Sequence, residues 1–454
     1  MRSGAAVWDN VPPHMQPPFG APRRLIGLVD ATALVVGSMI GSGIFIVSAE
    51  SARLVGTPGR LLAVWVLAGA LTLLAANACT ELATMFPLAG GPYVFFREAY
   101  GPLAGFLYGW TMALVIQTGT IAAVAVAFAK FLGLLVPSVA GWATKAVAAS
   151  VVLALTATNA LGLKAGTRVQ NVLTVLKVAA LVALTAGGIL FGRAGADAPA
   201  AEPPTSGTLV LAFALALVGP AFSQSAWTNV TFPGAEVREP GRTFPRALLL
   251  GCALVTCLYV LANVGYLRAL GLSGIAHAPQ DRVGTAAAAA LAPGGGAWMA
   301  TAILVSTFGC VNGLVLSGAR VVYALAADGH LPAAAAHLNA AGVPGVALVL
   351  QAAWTLVLVL SGTYSELLRY VVAVEFAVLI LVVLAVPVLR RRLPSHERPY
   401  RTWGHPGTSA LFLCLAGTVV ILLAIASPRT TLPGFALVLL GIPVFFALRK
   451  GRTA

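Results

Sequence analysis

Residues 35 to 47 read VVGSMIGSGIFIV, an apolar run interrupted by Gly37, Gly41 and Gly43. Gly37 and Gly41, four apart, fit a packing face of small residues on which two membrane helices approach closely. Gly43 has no place in that face. Gly41-Ser42-Gly43 concentrates weak helix formers in three consecutive positions. It begins 13 residues beyond Leu28, roughly 20 Å of helical rise. If the run spans a membrane, the sequence therefore predicts a helix that opens near mid-bilayer. Unwound backbone is tolerated there only against protein or a wet cavity, because each exposed amide in hydrocarbon costs several kcal/mol.

The rest of the chain makes that run a membrane span. Of 454 residues, 59% are hydrophobic and 9% charged, with a mean hydropathy of +0.91, far from soluble averages. Twelve apolar stretches are each long enough to cross about 30 Å of hydrocarbon. They lie near 28–54, 60–86, 102–135, 139–159, 169–191, 209–232, 246–268, 298–327, 343–361, 366–389, 407–427 and 432–448. The strand alternation of an outer-membrane barrel is absent. Residues 1–24 are Pro-rich without an apolar core, which reads as a disordered cytoplasmic tail rather than a signal peptide.

The net charge of +14 raises nucleic acid as a partner. With both termini in the cytoplasm, however, 18 Lys and Arg fall on the inner side and nine on the outer, leaving Lys177 inside a span. The positive-inside rule thus accounts for the charge, and nucleic acid is not expected as a partner. Cys79, Cys252, Cys257, Cys310 and Cys414 all fall in spans and read as small packing residues. The six histidines lie in the tail or loops, which argues against an intramembrane metalloenzyme or hydrolase. No Walker lysine motif is present, so ATP-driven pumping is not expected. No enzyme activity, cofactor or metal site is predicted.

A second interruption decides the architecture. The sixth span contains LVGPAFSQSAWTN, residues 217–229, with Gly219, Pro220, Ser223, Gln224 and Ser225 midway. Spans one and six open two five-span sets, and an odd number of spans makes the sets opposite in orientation. That is the pattern of an inverted-repeat transporter, whose half-helices meet at the midplane and offer amides at one end and carbonyls at the other. Such a site suits a zwitterion.

GSMIGSGIF, VREPGRTFPRA, VNGLVLSGARVVYALAADGHLP and RPYRTWGHP, spread over residues 37–408, resemble the amino acid permeases of the amino acid-polyamine-organocation superfamily, and among them the bacterial relatives of the L-type amino acid exchangers. The resemblance implies an all-α membrane protein of twelve transmembrane helices. Its fold would be leucine-transporter-like, a 5+5 inverted repeat with broken helices one and six. The repeats would cover 25–191 and 208–392, joined by an extracytoplasmic linker at 192–207. Helices eleven and twelve would follow over 393–448, before a cytoplasmic end at 449–454. The resemblance puts the substrate carboxylate within Gly41-Ser42-Gly43, on the amides of Ser42 and Gly43. It puts the ammonium on the carbonyls of Met39, Phe222 and Ser225, with Phe222 as the gate. Trp227 is a pocket wall or a packing residue. The reading needs no carboxylate in the pocket and so disfavours cationic substrates, while Ser225, where the exchangers often have glycine, leans toward small neutral side chains.

Lys177 lies nine residues beyond Arg168, roughly 13 Å into the membrane, too deep to snorkel easily. The resemblance links its ammonium to span one and to span eight, with Ser306 as a partner. There it carries a coupled proton or replaces a sodium ion. Glu375, 15 residues before Arg390 and roughly 22 Å from the inner edge, is a functional or a structural carboxylate. Glu81 is expected to pack or to hold a gate loop. Residues 87–101 resemble an amphipathic loop lining the inner vestibule. Arg97 with Glu98 and Arg238 with Glu239 read as gate contacts or solvated charges. Asn229 fits a glycosylation sequon but is expected at or inside the membrane. Residues 283–293 are expected to form an outer surface helix whose alanine run has no chemical role. The expected function is alternating-access transport of amino acids across the cytoplasmic membrane, by exchange or with protons. A nucleobase carrier on the same fold and a nontransporting sensor remain alternatives, and oligomeric state is open.

Overall fold

Continuous apolar sequence in lipid must satisfy its own backbone, and helices do so within a single segment. The computed structural model describes residues 24–193, 206–361, 364–426 and 428–450, and among these it is helical, with no strand. The expected disordered tail, most of the 192–207 linker and residues 451–454 lie outside the described residues. The helices are α1 (Leu28–Met39), α2 (Ser48–Val55), α3 (Pro58–Met85), α4 (Pro92–Tyr100), α5 (Pro102–Thr111), α6 (Gln117–Leu135), α7 (Trp142–Ala160) and α8 (Leu163–Phe191). They continue with α9 (Ser206–Ser223), α10 (Pro240–Ala276), α11 (Val283–Leu291), α12 (Gly295–Ala327), α13 (Gly345–Ser361), α14 (Tyr364–Arg392), α15 (Gly407–Ala426) and α16 (Pro428–Lys450).

Ten helical stretches among the described residues are long and apolar enough to cross a membrane, and two shorter apolar helices lie at Gly345–Ser361 and Gly434–Leu448. One of the ten joins α5 and α6 through a π-helical turn at Met112–Ile116. The bundle core is built where α10 packs on α3, α8 and α1, and α12 packs on α6, α8 and α1. At the crossing of α8 and α10, a methyl group on Gly188 would collide with the backbone of Gly265, so two glycines set how closely those helices pass. The residues leading into α1 pair with 236–238: the amides of Leu25 and Ile26 donate to Glu236 O, and Arg238 N donates to Ile26 O. We call this the entry end.

Two expectations change. Residues 92–100 form a buried amphipathic helix, with Tyr93, Val94, Phe95 and Phe96 inside, rather than a lining loop. The alanine-rich α11 is also half inside the bundle: Val283, Gly284, Ala287 and Ala288 are buried, and a methyl group on Gly284 would press on the Phe45 ring. Its small residues let it approach the first break, which a run of larger side chains would prevent.

Candidate functional site

The first break starts one residue before the glycines. Helix α1 ends at Met39 and Ile40 is extended (φ −77°, ψ 91°). Gly43–Phe45 form one 3₁₀ turn before α2 resumes at Ser48. A helix end leaves its last four carbonyls without intrahelical partners. Val36 O is taken by Ile40 N, and the next four oxygens each receive a side chain from elsewhere. Lys177 Nζ donates to Gly37 O at 2.5 Å and Ile40 O at 2.8 Å. Cys310 Sγ donates to Ser38 O at 3.0 Å, and Tyr259 OH to Met39 O at 3.0 Å. Ser306 Oγ reaches Ile40 O at 3.1 Å and Gly41 O at 3.3 Å.

The third proton of Lys177 goes to Ser306 O at 3.1 Å. All three donors of the ammonium are thereby used, and the side chain is 1% exposed. On the same face of α8, Thr174 Oγ1 and Gln170 Nε2 donate to Ala33 O. Gly37 permits this approach, since a methyl group there would collide with Gln170 and Thr174.

The second break is narrower than the 219–226 interval suggested by its residues. Helix α9 continues through Gly219 and Pro220 to Ser223. Proline is tolerated within membrane helices because neighbouring groups re-satisfy the freed backbone. Gly219 instead makes room for Val47 of the first break. The chain opens at Gln224–Ala226 with local turn bonds: Gln224 N to Pro220 O and Ala221 O, and Ser225 N to Phe222 O. Ala226 has a left-handed φ of 67° and leads a 3₁₀ turn over Trp227–Thr231. Its N–H lies beside the Glu375 carboxylate on α14. Gln224 braces the opening from the other side, with Nε2 to Trp65 O at 3.4 Å and Oε1 accepting from Thr256 Oγ1 at 2.9 Å.

The two breaks meet. Tyr259 OH lies 3.0 Å from Met39 O and 3.2 Å from Ser223 O, one hydroxyl between the two openings. A methyl group on Gly43 would collide with Ser223. Met39, Gly41, Gly43, Lys177 and Ser306 thus form one connected cluster with Ser223, and Ser42 and Phe222 are buried chain neighbours of that cluster. Ser225 and Trp227 face a different space, a narrow cavity between α3, α9, α14 and α15. Thr72, Gln224, Phe376 and Phe412 also line it, and so does Glu375. The reading from sequence had a pocket without a carboxylate, whereas Glu375 shares this cavity with two of the residues assigned to that pocket. Asn229 is 1% exposed, packed inside the bundle.

Among the described residues, most of the ion pairs lie toward the entry end. Glu81 takes Arg390 in a fork at 2.9 and 2.7 Å and Thr402 N at 2.7 Å, so it ties α3 to α14 and to the loop before α15. Arg97 pairs with Glu98 at 3.1 Å and with Asp328 at 2.5 Å, and Tyr93 OH also donates to Asp328. Burial, then the Asp328 carboxylate, push the Tyr93 phenol well above its ordinary range, which keeps it a donor. The Arg238–Glu239 contact does not form: Arg238 Nε donates to Arg24 O and Glu239 faces Arg242 at 3.5 Å. Glu239 and Arg242 are both largely exposed, as solvated charges. Arg320 and Glu236 form a buried pair at 3.0 Å that the sequence did not signal. Tyr259 and the donor role of Cys310 were also missed, because an apolar span containing a tyrosine or cysteine reads as packing. Among the described residues, no group of three His, Cys, Asp or Glu is placed to hold a metal ion.

The amino acid permease family profile matches residues 26–447. The chain is similar to the serine/threonine exchanger SteT of Bacillus subtilis, 28% identical over 440 residues that cover 95% of this chain and 98% of that protein. It is similar to the Asc-type amino acid transporter 1 of Mus musculus, 29% identical over 93% of this chain and 81% of that one. The human large neutral amino acids transporter small subunit 2 is 30% identical, over 93% and 80% of the two chains. A profile match across nearly the whole chain, ten membrane-length helices and two helix breaks joined at the centre lead to one conclusion: the chain belongs to the amino acid permease family.

Proposed function

We propose that the protein is a secondary active transporter of amino acids, not an enzyme, working by alternating access across the cytoplasmic membrane with both termini inside. The observation that carries this reading is the junction of the two broken helices, where Tyr259 touches both openings and Lys177 holds the first. In this reading the chain has twelve spans. Ten are long apolar helices and two are the shorter ones, arranged as a leucine-transporter-like pair of inverted five-helix repeats followed by two more. Rocking about the midplane junction then exposes the site to one side at a time.

The substrate carboxylate sits on the leading amides of the first break, Ser42 and Gly43, because the start of a helical turn presents N–H groups without intrahelical acceptors. The ammonium sits on the carbonyls of Met39, Phe222 and Ser225. Met39 O accepts from Tyr259 and Phe222 O from Ser225 N, and a carbonyl oxygen has a second lone pair for an incoming donor. Phe222 closes over the substrate. Lys177 and Ser306 supply the coupling link, where the ammonium carries a proton or stands in for a sodium ion. The similar proteins are by name a serine/threonine exchanger and a large neutral amino acids transporter subunit, which supports neutral substrates, and Ser225 favours small ones among them.

Purified protein in proteoliposomes loaded with single amino acids, with or without a pH gradient, tests this. Labelled uptake that requires internal substrate identifies exchange, and uptake that follows the gradient identifies proton symport. No uptake of any amino acid under either condition overturns the proposal.

A further inference from the structure

Glu375 is the strongest group outside the cluster already assigned. It lies on α14 beside the N–H of Ala226 in the second break, and it lines the cavity that Ser225 and Trp227 also line. The rest of that wall is mostly apolar, with Ala68, Leu71, Val372, Leu379 and Phe412. No basic side chain is among the lining residues to neutralise the acid. A carboxyl group keeps an acceptor oxygen whether or not it carries its proton. Glu375 brings that acceptor to the wall of a cavity beside the break, where an unmet polar group is costly.

We infer that Glu375 is a specificity-determining residue: the cavity takes the side chain of the transported amino acid, and Glu375 selects one that carries a hydrogen-bond donor, such as a small hydroxyl. This rests on the proposed function, since it assumes an amino acid held at the junction of the two breaks, and it names the substrate class that site prefers. Thr72, Gln224 and Ser225 line the same cavity and give it polar positions beside Glu375 in a mostly apolar chamber. The chemistry fixes the sign of the preference. A purely apolar pocket rejects an added hydroxyl only weakly, by about 100-fold. A pocket built to bond a hydroxyl rejects the analogue without it far more strongly, because its own polar group is left unpaired.

Threonine and valine are the isosteric pair that reads this difference. Initial uptake into proteoliposomes is measured for both, as Vmax/KM, with the wild-type chain, Glu375→Gln and Glu375→Leu. The wild type is expected to favour threonine over valine at least tenfold. Glu375→Gln, which keeps an acceptor oxygen, is expected to retain a preference for threonine, and Glu375→Leu to reverse it toward valine. Equal handling of threonine and valine by the wild type overturns the inference without recourse to any variant. An unchanged ratio in Glu375→Leu overturns it too. If Glu375→Leu does not fold, the wild-type ratio decides together with Glu375→Gln. A wild type that transports amino acids without this selectivity defeats the inference alone, whereas one that transports none defeats the proposed function first.

Discussion

The two helix breaks lie in the first and sixth membrane-length stretches among the described residues, yet they are held open by opposite means. At the first, the carbonyls of residues 37–40 receive donors from Lys177 on α8, Tyr259 on α10, and Ser306 and Cys310 on α12. At the second, the opening is closed mainly by its own turn, with Gln224 N and Ser225 N bonding back to residues 220–222 and Glu375 lying beside the Ala226 amide. The extended Ile40 strips α1 of its continuing bonds at once, so four oxygens need partners brought from a distance. The left-handed Ala226 turns the chain so tightly that most partners are local. The first break is therefore a socket fixed from outside, and the second a strained hinge. Removing a distant partner should cost more than altering the hinge.

The largest expected effect is at Lys177. Lys177→Ala removes a charged donor from three carbonyls, and hydrogen bonds to charged groups contribute about 1.5–3 kcal/mol each. We expect uptake, as Vmax/KM, to fall by about 100-fold, about 2.7 kcal/mol at 1.36 kcal/mol per decade. Monodisperse protein should still be recovered from detergent, because Tyr259, Ser306 and Cys310 keep their bonds to the oxygens of residues 38–41. Uptake within twofold of wild type would make the ammonium a passive filler and remove the asymmetry between the breaks.

Part of this arrangement was legible in the sequence, and the divide follows range. Gly41-Ser42-Gly43 and the 219–226 cluster marked both breaks, since low helix propensity is a property of neighbouring residues. Lys177 was legible because a charge deep in an apolar span has few benign explanations. Its link to Ser306 was named through the resemblance. Pro220 misled, because membrane helices absorb a proline that would end a soluble one. Tyr259 was invisible: its role depends on two carbonyls, 220 and 36 residues away along the chain, and nothing local distinguishes it from a packing aromatic. Glu375 was seen as a carboxylate at depth, but its place in one cavity with Ser225 and Trp227 needed the fold. The Glu236–Arg320 pair was missed for the same reason, its partners being 84 residues apart.

Tyr259→Phe tests the join between socket and hinge, with an intermediate effect. The ring packs edge-on against Trp65 at 5.4 Å, so the substitution keeps the shape and removes only the hydroxyl. One hydrogen shared by two carbonyls contributes about as much as a typical net hydrogen bond, 0.5–1.5 kcal/mol, or roughly a two- to twelvefold effect. The oxygens it holds are those beside the proposed ammonium position, so the change should appear mainly in KM, measured as the concentration dependence of uptake. A change confined to Vmax with KM intact would place Tyr259 in the conformational step and not in holding the site.

Ala226→Gly makes the smallest change and asks whether the hinge is strained at all. A left-handed conformation costs an L-residue about 1–2 kcal/mol, which glycine escapes. Against that gain stand about 0.4–1 kcal/mol for the freer unfolded chain and up to about 0.8 kcal/mol for a half-buried methyl group. The terms nearly cancel, so the thermal midpoint in detergent should move by no more than the equivalent of about 1 kcal/mol. A markedly lower midpoint would show that the methyl group, packed against the apolar cluster built from α6, α7, α12 and α13, holds the second break as firmly as side chains hold the first. The contrast between socket and hinge would then fail at its weaker end, while the role of Lys177 at the first break would stand.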